Sequence, residues 1–150
     1  MIDSFERNID KVKFVNYHVP IYNPCGQFDR DPSTFIYQLF HWVPNFDKYK
    51  VMVAFENHVH YLKRTKPLVG NSFAEKGTVY VGSAFGAVLT KGCHPDKTAH
   101  IFDALANTNN FWLSRIYPDR VEHVAYDPEG NIADQFTQRT ADYLPKSQQK

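Results

Sequence analysis

The sequence predicts a layered fold that mixes helices with β-sheets, of the α/β or α+β class. Two apolar runs, KVMVAFE (50–56) and GTVYVG (77–82), are typical of strands that are covered on both faces. Two later segments, FWLSRIY (111–117) and RVEHVAYD (120–127), alternate in the way strands do. The twelve Phe and nine Tyr residues also favour a sheet-rich interior, because aromatic side chains suit half-buried strands.

The first elements are predicted to be a short helix and a strand. Residues 3–10 (DSFERNID) suit a helix in which Asp3 is the N-cap and Glu6 stands in capping-box spacing. The β-formers of KFVNYH (13–18) predict the strand. Residues 21–32 contain two prolines and a glycine, which indicates a loop.

The middle of the chain is predicted to be a helix followed by strands. From Ser33 to Tyr49 the apolar residues recur at helical spacing, and Pro44 should bend or interrupt that helix. After the strand at 50–56, YLKRT (61–65) is a second strand. A loop over 66–77 then leads to the strand at 77–82.

The last third is predicted to contain one helix and three strands. The helix is placed at 94–108, around HIFDALA. The turn PEGN (128–131), with Gly130 available for positive φ, joins the strand at 120–127 to a returning strand IADQFT (132–137). These elements define one domain over 1–137, followed by a polar, frayed tail at 138–150.

Composition argues against several functions. The net charge is +1, from 17 basic and 16 acidic residues, and so provides no general electrostatic attraction to nucleic acid or to an anionic membrane. No segment approaches the roughly 18–20 apolar residues that span a bilayer. The polar N-terminus is unlike a signal peptide, and the compartment stays open. Cys25 and Cys93 form no CxxC motif, so both a disulfide and free thiols remain possible.

Two histidines stand one residue apart in AFENHVHYLKRT (54–65). In an extended segment His58 and His60 point the same way, with Cα atoms ~6.5–7 Å apart. They can hold one metal ion or reach two ions ~3.5–4 Å apart, although local hydrogen bonding without metal is the alternative. His58 directly follows a buried strand, and His18 ends the first strand. Because ligands gather beyond the carboxyl ends of strands, we expect these sites to converge.

The remaining candidates give weaker signals. Lys63 and Arg64 follow the histidines and either attract a phosphate or mark a solvated strand edge that discourages aggregation. Four other histidines fit no ligand spacing and are predicted to be structural or on the surface: His41, His94, His100 and His123.

The order of these blocks resembles the C-terminal half of the catalytic domain of purple acid phosphatase-like (calcineurin-like) metallophosphoesterases. The blocks are a strand ending in H-x-P, a helix ending W-V-P-x-F-D-K-Y, a strand, and then H-x-H-x-x-x-R. The matching stretches are 13–22, 41–68, 77–87 and 121–136, and the resemblance runs from about residue 3 to 137. It implies half of a four-layer αββα sandwich.

The resemblance also implies a chemistry. In that family a dinuclear centre, iron with zinc, manganese or iron, hydrolyses phosphate monoesters by attack of a metal-bound hydroxide. Carried over, His18 and His58 would bind one metal and His60 the other, with Arg64 as a candidate contact for the substrate phosphate. Members of the family are often secreted, lysosomal or vacuolar.

The chain departs from the family in its carboxylates. The N-terminal half of the family supplies further ligands, among them a bridging Asp in a Gly-Asp motif and an Asn-His pair. This sequence has no GD and no GNH, and Asn57 replaces the glycine before the H-x-H pair. Three neutral imidazoles do not balance two polyvalent cations. We therefore expect the chain to be inactive alone.

Two interpretations of this departure remain open. The chain either needs a complementary N-terminal half, or is a non-catalytic, degenerate fragment that serves as a structural or assembly subunit. Half a sandwich leaves a strand edge and a sheet face uncovered, so a protein partner is expected in both cases.

Overall fold

The computed structural model describes residues 1–24, 32–84 and 99–145, and it confirms a mixed α/β architecture. The helical elements are α1 (Ile2–Arg7), α2 (Pro32–Tyr37), a π-helical segment (Gln38–Trp42), α3 (Val43–Lys48), and two 3₁₀ turns (Ala99–Ile101 and Thr140–Asp142). The strands are β1 (Lys13–Tyr17), β2 (Val51–Glu56), β3 (Leu62–Thr65), β4 (Leu68–Val69), β5 (Ser72–Phe73), β6 (Val79–Gly82), β7 (Phe102–Ala106), β8 (Phe111–Ile116), β9 (Arg120–Tyr126) and β10 (Ile132–Arg139).

The strands form one large and two small sheets. The large sheet has the order β1-β2-β6-β3-β7, in which β1, β2 and β6 are parallel and β3 is antiparallel to both β6 and β7. The order β10-β9-β8 makes an antiparallel three-stranded sheet, and β4 pairs with β5. Because β1 and β2 are parallel neighbours, the residues that follow them lie at the same edge of the large sheet.

The large sheet is covered on both faces. On one side a cluster that includes Phe46 and Tyr49 from the α3 region packs against Val51 and Tyr80. On the other side Met52, Val53, Val79 and Val81 pack against Val121 of β9 and against Tyr143. The described residues therefore form three layers: helices, the large sheet and the three-stranded sheet.

The outer face of the three-stranded sheet is partly apolar and open to solvent. Phe111, Leu113 and Ile132 are 42%, 38% and 56% exposed. Phe111 and Ile132 lie opposite Tyr126 on its two sides, so they belong to one cross-strand row.

The predicted interruption at Pro44 is confirmed. Proline has no N–H to donate to the preceding turn, and the chain passes through a π-helical segment immediately before α3, with Pro44 in the first turn of α3. The sequence predicted the interruption but not its π-helical form.

The helix predicted over 94–108 is wrong within the described residues. A single 3₁₀ turn at Ala99–Ile101 leads into β7, and 94–98 lies outside those residues. The segment FDALA pairs with β3 along its length and buries Phe102. This long-range pairing decides the conformation of a short apolar run that is compatible with either state.

The predicted N-cap of α1 is also wrong. The helix begins at Ile2, with Met1 as N-cap and no side-chain cap hydrogen bond. Asp3 lies in the first turn instead, where its negative charge still favours the helix dipole.

Residues 138–143, assigned from the sequence to a polar tail, take part in the fold. Gln138 lies in β10 and is buried, and its Nε2 donates to the carbonyl of Met52. The buried Tyr143 donates its hydroxyl to the carbonyl of Gly77, 2.9 Å away. Residues 146–150 lie outside the described part of the chain.

The hairpin between β9 and β10 is confirmed, and Gly130 has a φ of +85°. We expect Gly130→Ala to lower the free energy of unfolding by about 1–2 kcal/mol, because a Cβ is unfavourable in left-handed backbone. Urea denaturation measures this change. Glu129→Ala, in the same exposed turn, is the control and should change stability by less than about 0.5 kcal/mol. Equal effects of the two substitutions would contradict a backbone origin.

Candidate functional site

The carboxyl ends of β1 and β2 bring two histidines into contact. The Nε2 atom of His18 lies 3.0 Å from Nδ1 of His58, and the two rings are nearly perpendicular with centroids 4.9 Å apart. Both side chains are exposed. The convergence expected from the strand-end positions is therefore present for this pair.

Asn57 joins the two strand ends beneath this pair. Its backbone N–H donates to the carbonyl of His18 at 3.2 Å, and its Nδ2 donates to the carbonyl of Tyr17 at 2.8 Å. The following residue, His58, has a φ of +59°, which is rare for a residue other than glycine. The left-handed turn thus falls on the histidine itself and not on Asn57, the position where the family pattern has glycine.

His60 is half-buried in the link between β2 and β3. Within residues 1–24, 32–84 and 99–145, no three His, Cys, Asp or Glu side chains are grouped so that they could hold a metal ion. The structure thus gathers His18 and His58 without adding His60 as a third ligand of such a group.

The donor set in the described residues does not fit a complete dinuclear centre. The pair offers two imidazoles whose facing nitrogens already contact each other, and no carboxylate joins them in a metal-binding group. A centre of two polyvalent cations needs bridging oxygen ligands as well as imidazoles. The metal roles of the three histidines therefore remain a proposal.

A buried ion pair lies below the strand ends. The side chains of Glu56 and Lys63 are 0% and 1% exposed. Nζ of Lys63 donates both to Oε2 of Glu56 and to the carbonyl of Tyr22. Oε1 of Glu56 accepts from the hydroxyl of Tyr17 at 2.6 Å and from the backbone N–H of Ile21 at 2.7 Å. Both oxygens of the carboxylate are thus satisfied in the interior.

Burial dominates the electrostatics of this network. It lowers the pKa of Lys63, while the charge of Glu56 opposes that change. Burial also raises the pKa of Tyr17 well above its usual range, and the neighbouring Glu56 carboxylate adds to the effect. Tyr17 therefore remains protonated and serves as a hydrogen-bond donor.

Lys63 fits neither of the two roles predicted for it from the sequence, a phosphate contact or a solvated strand edge. Its strand, β3, lies between β6 and β7 and not at an edge, and its ammonium group is inside the protein. A phosphate contact and a solvated edge both require exposure. Lysine is rarely buried without a partner, and here Glu56 is that partner.

The side chain of Arg64 lies on the opposite face of β3 from Lys63 and connects the large sheet to the three-stranded sheet. Its Nε and Nη2 donate to both carboxylate oxygens of Asp134 on β10, at 2.7 and 3.2 Å, and Nη1 donates to Asp103 on β7 at 2.9 Å. The guanidinium also lies 5.2 Å from the ring centre of Phe136. Two carboxylates already balance its charge, and its contact with a substrate phosphate remains a prediction.

The other described histidines are structural or on the surface. His41 and His100 are exposed, and His94 lies outside the described residues. His123 is buried between the two sheets, where its Nδ1 lies 2.8 Å from Oγ of Ser114 and its ring stacks on Phe136. Cys25 and Cys93 lie outside the described residues, so their pairing stays open.

Sequence reasoning missed Glu56 and Gln38. Gln38, the first residue of the π-helical segment, donates its Nε2 to the carbonyl of Val19 at 3.1 Å. A glutamate at the end of an otherwise apolar strand, followed seven residues later by a lysine, was the available signal for the ion pair. Nothing in the local pattern around Gln38 indicated its contact.

Several solved structures share this fold, including the following two. A purple acid phosphatase from yellow lupin (Lupinus luteus) seeds is 17% identical, with a TM-score of 0.61 over 90% of this chain and 27% of that chain. GAP50, the anchor in the inner membrane complex of Plasmodium, is 9% identical, with a TM-score of 0.60 over 99% of this chain and 44% of that chain. No family model and no curated protein sequence matches.

The chain has a purple acid phosphatase-like fold. It spans about a quarter of the length of the lupin phosphatase and less than half of GAP50. At these identities the likeness concerns the fold alone. The described residues contain no helix with the length and apolar character that crossing a membrane requires.

Proposed function

We propose that this chain is the C-terminal segment of a metal-dependent phosphoesterase domain that hydrolyses phosphate monoesters when a complementary N-terminal half is present. The observation that carries the proposal is the contact between His18 and His58 at the ends of adjacent parallel strands. In this proposal His18 and His58 bind one metal and His60 the other, with Fe, Zn or Mn as the expected ions.

The position of β1 supports a complementary half. β1 is the strand at one edge of the large sheet, and it pairs in parallel with β2. Strands of parallel sheets are usually buried by neighbouring parts of the protein. Phe14 and Val15 of β1 are half-buried. A further parallel strand beside β1 would bring its own carboxyl end next to His18. Carboxylates delivered there would complete the donor set.

A non-catalytic role is the second candidate. Two observations favour it. In the part of the chain that the structure describes, no carboxylate joins the histidines in a metal-binding group, and GAP50, which is named as an anchor, matches nearly the whole chain. In that case the chain serves as a structural or assembly subunit and its histidines are dispensable.

Isolation of the native complex with elemental analysis separates the two candidates. The enzymatic proposal expects stoichiometric iron, zinc or manganese. It also expects His18→Ala and His58→Ala to lower the metal content of the complex and to reduce its phosphatase activity by at least about 100-fold, since even residues that only support metal ligands are worth about 10–100-fold in activity. His100→Ala, an exposed histidine outside the pair, is the matched control. A metal-free complex whose assembly tolerates both substitutions would establish the structural role instead.

A further inference from the structure

We infer that Glu56 and Lys63 are positioning residues that hold the segment 17–22 so that His18 stays against His58. The inference rests on the proposed function only where it takes the histidine pair to be a metal-binding site. The geometry itself is independent of any metal.

The ion pair forms hydrogen bonds with residues on both sides of His18 in the sequence. Before the histidine, the hydroxyl of Tyr17 donates to Glu56 Oε1. After it, the backbone N–H of Ile21 donates to the same oxygen, and the carbonyl of Tyr22 accepts from Lys63. Each partner of the pair therefore binds the segment in addition to binding the other partner.

Other contacts fix the backbone between these points. The carbonyl of His18 accepts from the N–H of Asn57, and the carbonyl of Val19 accepts from Gln38. Pro20 has no N–H to satisfy. The turn that carries His18 is thus defined by the residue before His58, by the π-helical segment and by the buried pair.

Stability alone does not account for an ion pair at this position. Apolar side chains of similar volume often replace a buried ion pair with no loss, and sometimes with a gain, of stability. Such side chains would fill the space but would leave the N–H of Ile21 and the carbonyl of Tyr22 without partners. What the charged pair adds is a defined location for this backbone.

The neighbouring strand is shaped to admit the lysine. Gly82 of β6 lies opposite Lys63, and a Cβ on Gly82 would lie 2.7 Å from Cγ of Lys63. A side chain at position 82 would force the lysine stem to move. The sheet thus leaves room for the stem of Lys63 on its way to Glu56.

The test is the contact between the two imidazole rings, measured by NMR on the full chain with labelled histidine. The variants are Glu56→Gln and Lys63→Met, studied well below their urea midpoints. Arg64→Met is the matched control, because Arg64 is the next residue on the same strand, is also ion-paired, and faces the opposite layer. We expect the His18–His58 ring NOE to vanish in both variants and to persist in the control.

Two further measurements complete the experiment. If a single variant does not fold, the Glu56→Leu/Lys63→Met double variant removes the charge imbalance, and it should fold without the ring contact. Persistence of the NOE in every folded variant of the pair would overturn the inference. Zn²⁺ titration of the unmodified chain reports separately on the histidine pair: no binding, together with an NOE that depends on the ion pair, would count against the proposed function and leave the inference intact.

Discussion

Lys63→Met will lower the free energy of unfolding by about 3–5 kcal/mol, because it leaves the Glu56 carboxylate as an uncompensated charge in the interior. The carboxylate is fully buried, and its remaining donors, Tyr17 and the backbone of Ile21, are neutral. Urea denaturation followed by tryptophan fluorescence measures the change through the midpoint.

The double variant and a surface pair give the controls. Glu56→Leu together with Lys63→Met should recover part of the loss, since no unpaired charge remains, although the N–H of Ile21 and the carbonyl of Tyr22 then lack their partners. Lys76→Met removes the ion pair between the exposed Lys76 and Asp142 and should cost less than about 1 kcal/mol. If Lys63→Met costs no more than Lys76→Met, the ion pair is not buried in solution.

Acidification will weaken the fold through His123. Burial lowers the pKa of this histidine from 6.5 to about 4, while the neighbouring Gln138 acts in the opposite direction. Between pH 6.5 and 4 the unfolded chain binds a proton that the folded chain excludes, so stability falls as the pH falls through this range. The loss is about 3 kcal/mol when it is complete, below pH 4.

The measurement is the free energy of unfolding at several pH values between 7.5 and 3.5, on the unmodified chain and on His123→Leu. The groups that face the imidazole are Phe14, Phe136, Ser114 and Gln138, none of which titrates in this range. The Leu variant leaves Ser114 without its partner and is less stable at pH 7, but its pH dependence should be shallower. Parallel curves for the two proteins would show that His123 is not the group responsible.

The sequence predicted most strands because their patterns are local. β6 is apolar throughout and β2 is apolar up to its last residue, Glu56, and both strands are covered on both faces, while β8 and β9 alternate. The failure at β7 has the opposite cause. FDALA is too short and too apolar to show a period, and its conformation depends on pairing with β3, more than 35 residues earlier in the chain.

The residues of the candidate site also fall into those that the sequence predicted and those that it did not. His18 and His58 were found because parallel strands place their carboxyl ends together, a rule that needs only the order of elements. The partnership of Glu56 and Lys63 depends on how residues 17–22 fold over the strand ends. No spacing in the sequence reports that path, so Lys63 was assigned to the surface.

The open apolar row on the three-stranded sheet has a practical consequence. Phe111 and Ile132 leave apolar surface exposed to solvent, and we expect this surface to favour association between copies of the isolated chain as its concentration rises. Measurements on the isolated polypeptide should therefore be made on dilute samples. Co-expression with a protein that covers this surface is the alternative source of sample.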